Sequence, residues 1–151
     1  MEHKKAPTFS TTDQNGNEQS LSDYKGQYVL LYFYPKDMTP GCTIEAQGFQ
    51  EKYKEFVLHN TQVLGVSGDD QASHKKFCEK NNLEFPLLVD TKHTIAQDYG
   101  VWKEKSMFGK KYMGISRESF LINPNGEVLK HWDTVKPLDH PQEVLNYLHE
   151  I

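Results

Sequence analysis

Tyr32-Phe33-Tyr34-Pro35-Lys36-Asp37-Met38-Thr39-Pro40-Gly41-Cys42-Thr43-Ile44-Glu45-Ala46 is the stretch around which this chain is organised. A long apolar run, Gln27 to Tyr34, enters it and reads as a central strand covered on both faces. A short polar turn follows, and proline and glycine then deliver one cysteine into the start of a helix. Cys42, Ala46, Phe49, Tyr53 and Phe56 recur at spacings of four, three, four and three, so they share one helical face. The helix is expected over 40–58, with Thr39 as N-cap and Pro40 as the first helical residue, where its missing N–H costs nothing. Cys42 then lies in the first turn, facing the body of the protein. Unpaired N–H groups and the positive end of the macrodipole favour an anion at that position. The thiolate is the reactive form of cysteine. Most free cysteines are small core residues, but a packing residue has no need of a helix that begins beside it. The Thr-Pro-Gly lead-in therefore marks Cys42 as reactive.

These residues also carry a resemblance. Pro35, Lys36, Asp37, Thr39, Pro40, Gly41, Cys42, Thr43, Glu45 and Ala46 resemble the active-site segment of the peroxiredoxins, in particular the bacterioferritin comigratory protein (PrxQ) branch. The resemblance runs from Ala6-Pro7-Thr8-Phe9 to the last helix.

The length suits one domain over residues 1–151, long enough to bury a proper core, and the resemblance implies a single peroxiredoxin domain. A net charge of −4 leaves no basic footprint for nucleic acid. No apolar stretch approaches the roughly 20 residues of a membrane span. The opening Met1-Glu2-His3-Lys4-Lys5 lacks the apolar core of a secretion signal, so a cytoplasmic location is expected. Two cysteines in such a context are more often reactive than structural. The seven histidines show no pair at zinc-ligand spacing and are read as surface residues; no metal or cofactor is expected.

Along the chain, 6–21 reads as a hairpin around Asp13-Gln14-Asn15-Gly16-Asn17, and 61–67 as a second buried strand. With the strand and helix before it, the latter completes a right-handed strand–helix–strand unit. A polar amphipathic helix is expected over 69–82, a short strand over 85–90, and a short helix over 94–99 closing at Gly100. Trp102 to Gly114, rich in lysine and glycine, reads as a flexible surface loop. Two strands, 118–122 and 127–132, flank Asn123-Pro124-Asn125-Gly126, and the helix 139–150 turns Val144, Leu145 and Leu148 inward. This order implies an α/β thioredoxin-like fold, a central mixed sheet flanked by helices, with an N-terminal β-hairpin added. Sites in such sheets lie beyond the carboxyl ends of the strands, where Cys42 falls.

Arginine occurs once, at Arg117, against sixteen lysines. Its planar fork cannot deprotonate and suits holding a thiolate and a peroxide oxygen together. It stands in a Gly-Ile-x-Arg-x-x-Phe-Leu-Ile context that matches the peroxiredoxin arginine. Its neighbour Glu118 should point the other way by strand alternation. The resemblance implies catalytic roles for Cys42, Thr39, Pro40 and Arg117. Thr39 would accept from the attacking peroxide, and Pro40 would shield the thiolate from water. The implied reaction leaves Cys42 as a sulfenic acid.

Many members of the branch carry a second cysteine five residues after the first; here that position is Gln47. Cys78 is the remaining thiol; the resemblance implies that it is the resolving cysteine, and a spectator packing cysteine is the other reading. About 100° round from Phe77, it is expected with His74 on a semi-exposed border of its helix. The implied partners are a peroxide substrate and thioredoxin or another dithiol, and the expected state is a monomer. Three alternatives stay open: a one-cysteine peroxidase reduced from outside, a redox sensor, and a non-enzymatic holdase. A dithiol oxidoreductase is excluded, since the residue three after Cys42 is Glu45.

Overall fold

The computed structural model describes residues 2–151; Met1, quoted above with the amino-terminal segment, lies outside them. The amino-terminal hairpin pairs β1 (Ser10–Thr12) with β2 (Glu18–Ser20), and a 3-10 turn at Leu21–Tyr24 leads into β3 (Tyr28–Phe33). The sheet grows outward from β3. On one side it runs parallel to β4 (Thr61–Ser67), which runs parallel to β5 (Leu87–Val89). On the other side it meets β8 (Glu118–Ile122) antiparallel, and β8 meets β9 (Val128–Trp132). The resulting order is β5-β4-β3-β8-β9, the mixed α/β sheet expected from the sequence.

Side-chain alternation along β3 divides the interior into two layers. Leu30, Tyr32 and Tyr34 enter a core with α1 (Pro40–Glu51), α2 (Tyr53–Leu58), α3 (Gln71–Asn81) and α5 (His140–Glu150). Val29, Leu31 and Phe33 enter the opposite core with α4 (Thr94–Asp98) and the amino-terminal segment. Both faces of the strand are covered, which is why the run 27–34 shows no polar face.

Several expectations need correction. The helix expected over 40–58 is two helices, broken at Lys52, whose backbone sits near the bridge region at φ −100° and ψ 8°. The apolar face continues across the break through Tyr53 and Phe56, so spacing alone could not reveal it. The segment 102–114 is no loop but a β-hairpin, β6 (Trp102–Met107) with β7 (Lys110–Ile115), turning at Phe108 and Gly109, both at positive φ. The histidines are not all surface residues: His74 and His140 are fully buried. Burial is tolerated because each ring is hydrogen-bonded through both nitrogens, His74 to Asp37 and Leu88, His140 to Glu143 and Ser119.

Candidate active site

Cys42 lies in the first turn of α1, only 1% exposed, beyond the carboxyl end of β3. The turn before it follows the sequence reading: Thr39 is the N-cap residue and Pro40 opens the helix. Thr39 does not cap through its side chain. Its hydroxyl donates to the Lys36 carbonyl at 2.7 Å, and its own carbonyl accepts from the N–H and hydroxyl of Thr43. With its proton committed to Lys36, the Thr39 oxygen keeps lone pairs to accept from an incoming O–H. The Pro40 ring is exposed.

Arg117 immediately precedes β8, the neighbour of β3, and so reaches the start of α1. Its Nη2 lies 3.4 Å from Cys42 Sγ, and its Nη1 donates to Glu45 Oε1 at 2.8 Å. Burial works against the guanidinium charge, but Cys42 and Glu45 outweigh it and hold its pKa above the ordinary arginine value. Glu118 points away, as alternation requires, pairing with His131 and Lys103.

Glu45 shares the helical face of Cys42 three residues on and is fully buried, with Oε2 unpartnered among the described residues. Desolvation pushes its pKa up to about 7, against the downward pull of Arg117. The ion pair alone would predict the opposite direction, and burial wins because little water reaches the second oxygen. Its spacing from Cys42 was visible in the sequence, but its pairing with a residue 72 positions away was not. Lys105 on β6 is a second cation near the thiol. Burial, then Arg117, lowers its pKa, while Cys42 raises it.

Cys78 differs from its expected place on a semi-exposed border. It is 7% exposed and belongs to the core cluster that holds Cys42, touching a surface groove lined by Gln14, Lys75, Glu79 and Asn82. Burial, then the charge of Asp37, pushes its thiol up to about 12. Both cysteines are free thiols on separate helices. Asp37, Asp69 and His74 each place a ligand atom within 4.8 Å of the others. Those atoms are hydrogen-bonded within the cluster and to Ser67 and Ser73.

Residues 3–131 match the sequence profile of the AhpC/TSA family. Peroxiredoxin Bcp of Bacillus subtilis is 49% identical over 98% of this chain and 94% of its own length. Peroxiredoxin Bcp of Escherichia coli K12 is 46% identical over 96% of this chain and 93% of its own. Among solved structures, a cysteine-to-serine mutant of Xylella fastidiosa PrxQ superposes with a TM-score of 0.92, at 36% identity over 99% of this chain and 98% of that one. Peroxiredoxin Q of Xanthomonas campestris gives 0.90, at 38% identity over 94% and 90%. Sequence and fold thus lead to the same relatives, and the chain belongs to the AhpC/TSA family as a peroxiredoxin of the Bcp/PrxQ kind.

Proposed function

We propose that Cys42 is the peroxide-reducing thiol, that Arg117, Thr39 and Pro40 form its pocket, and that Cys78 resolves the oxidised form. The observation that carries this reading is the 3.4 Å approach of Arg117 Nη2 to Cys42 Sγ. The guanidinium stabilises the thiolate and offers its fork to the peroxide oxygens, while Thr39 accepts from the peroxide O–H. Thiolate sulfur attacks the terminal oxygen, the O–O bond breaks, and the leaving alkoxide or hydroxide takes a proton and departs as alcohol or water. Cys42 is left as sulfenic acid. Hydrogen peroxide and organic hydroperoxides are the substrates; the bacterioferritin comigratory protein of Xanthomonas campestris is described with alkyl peroxide reduction activity.

Cys78 then attacks the sulfenic sulfur, forming the disulfide and releasing water. Two observations support this step. Cys78 shares a core cluster with Cys42, and Peroxiredoxin Q of Xanthomonas campestris was solved with serine at either of two cysteines as far apart in its chain as Cys42 and Cys78 are here. The first turn of α1 must open for the sulfurs to meet, because each lies buried on its own helix. Thioredoxin, or another dithiol, restores both thiols, and the enzyme works as a monomer. A second reading has one point in its favour: a thiol pushed up to about 12 is a poor nucleophile in place. Under that reading an external thiol reduces Cys42 directly. NADPH consumption through thioredoxin reductase and thioredoxin, with hydrogen peroxide and an alkyl hydroperoxide, tests the cycle. Turnover lost in Cys42→Ser supports it, and retained turnover rejects it.

A further inference from the structure

The turn that presents Cys42 contains a strained residue. Met38 adopts a left-handed backbone, φ 66°, with its side chain 44% exposed. A non-glycine residue rarely takes that conformation, and it persists only where the surroundings fix it. The fixing comes from Asp37, which is 3% exposed. Its N–H donates to Asp69 Oδ2 at 2.8 Å, and its Oδ1 accepts from the Tyr34 hydroxyl at 2.6 Å. Its Oδ2 accepts from Ser73 Oγ at 2.8 Å and faces His74 Nδ1 at 2.7 Å.

The far side of the ring fixes one proton. His74 Nε2 lies 2.8 Å from the Leu88 carbonyl, which can only accept, so Nε2 carries a proton. Asp37 Oδ2 lies 2.7 Å from Nδ1 on the other side, so a charged ring donates to both partners at once. It joins α3, which carries Cys78, to the turn that carries Cys42.

We propose that Asp37 and His74 form a proton-dependent clasp on the Cys42 turn, closed while His74 is charged and released when it is neutral. The inference deepens the proposed role of Cys78 and rests on it for its effect on turnover. The release has a mechanical cause. Neutral His74 keeps its Nε2 proton on Leu88, so Nδ1 changes from donor to acceptor and confronts Asp37 Oδ2, another acceptor. Met38 then relaxes and the first turn of α1 unwinds, bringing the Cys42 sulfenic acid to Cys78.

The groups around His74 fix the direction. Asp37 faces it from the turn, Asp69 from the lead-in to α3, Tyr34 from the end of β3 and the Leu88 carbonyl from β5. Burial opposes the charge, but the Asp37 hydrogen bond and charge outweigh it and hold His74 above the ordinary histidine value. The clasp is therefore closed below that elevated value and opens as pH rises through it.

The test is hydrogen exchange of the reduced full-length protein from pH 6 to 9, read by mass spectrometry over 38–46 and corrected for the intrinsic pH dependence of exchange. Wild type should lose at least tenfold in protection across a single step above the usual histidine range. His74→Gln and Asp37→Asn should be weakly protected throughout, without the step, while the β8 peptide 118–122 stays protected. Equal protection and identical profiles in wild type and His74→Gln would overturn the clasp. If β8 protection also falls in a variant, the wild-type profile decides alone, and a flat profile overturns the proposal. A wild-type step without any Cys42–Cys78 disulfide after peroxide would reject Cys78 as the resolving thiol and leave the clasp standing.

Discussion

Arg117 and Cys42, 75 residues apart in the chain, meet at 3.4 Å across the junction of β8 and α1. The same guanidinium holds Glu45 through its other nitrogen, so its orientation is set from both sides. A lysine could supply the charge there but not two fixed donors. Arg117→Lys should therefore slow peroxide reduction by about 100-fold, the range seen when one preorganised donor is removed. Stopped-flow oxidation of the reduced protein measures this, with circular dichroism as the control for folding. A second-order rate within twofold of wild type would place Arg117 outside the chemistry.

Glu45 gives a pH dependence with a definite sign. Its folded pKa, about 7, is raised above the ordinary 4.5. The folded protein thus holds this proton more tightly than the unfolded chain, so stability is full below pH 4.5 and declines as pH rises towards 7. The loss is about 3 kcal/mol, since each pH unit between the two values is worth about 1.4 kcal/mol. Glu45→Gln should remove that decline. Urea unfolding of both proteins at several pH values between 4.5 and 7.5 gives the difference; parallel curves would mean that Glu45 keeps an ordinary acidity.

Gly41 separates stability from activity. It has no unusual backbone angle, and alanine is better in a helix by roughly 1 kcal/mol. A Cβ there, however, would stand 3.2 Å from Arg117 Nη2 and 3.5 Å from Pro137 Cγ. Arg117, pinned by Glu45, would have to move off the sulfur. Gly41→Ala should keep or raise the melting temperature yet slow peroxide reduction about 10-fold, the scale on which misplacing a catalytic group acts. An equally fast variant would show that the guanidinium position has slack.

Cys78→Ser probes the second half of the cycle. Without a resolving thiol, the sulfenic acid of Cys42 persists and oxidises further to sulfinic acid. The first oxidation should match wild type, while thioredoxin-dependent turnover falls by about 100-fold or more, because a unimolecular partner at high effective concentration is gone. Intact-mass analysis after excess peroxide should show two added oxygens. Wild-type turnover in this variant would favour reduction of Cys42 from outside.

The legible parts of the fold were those with a periodic imprint. Cys42, Ala46 and Phe49 showed α1 because that helix buries one face, and the run through β3 showed a strand because both of its faces are buried. The hairpin of β6 and β7 left no such trace. Every residue from Ser106 to Met113 is exposed, so no inner face selects alternating apolar residues. Arg117 was found through its rarity among lysines rather than through any local pattern. Asp37 and His74 were both in view, but 37 residues separate them, and only the packing of α3 against the Cys42 turn brings them together. Cys78 was misplaced for a related reason: the position of Phe77 fixed its angle on the helix, but not that this side of the helix also enters the core cluster of Cys42.

The most direct test of the Cys42–Cys78 cycle adds one equivalent of peroxide to the reduced protein and maps the non-reduced peptides by mass spectrometry. The expected product is a monomer in which the Cys42 and Cys78 peptides are joined with the loss of two hydrogens. Oxidation confined to Cys78, with Cys42 still a free thiol, would contradict it.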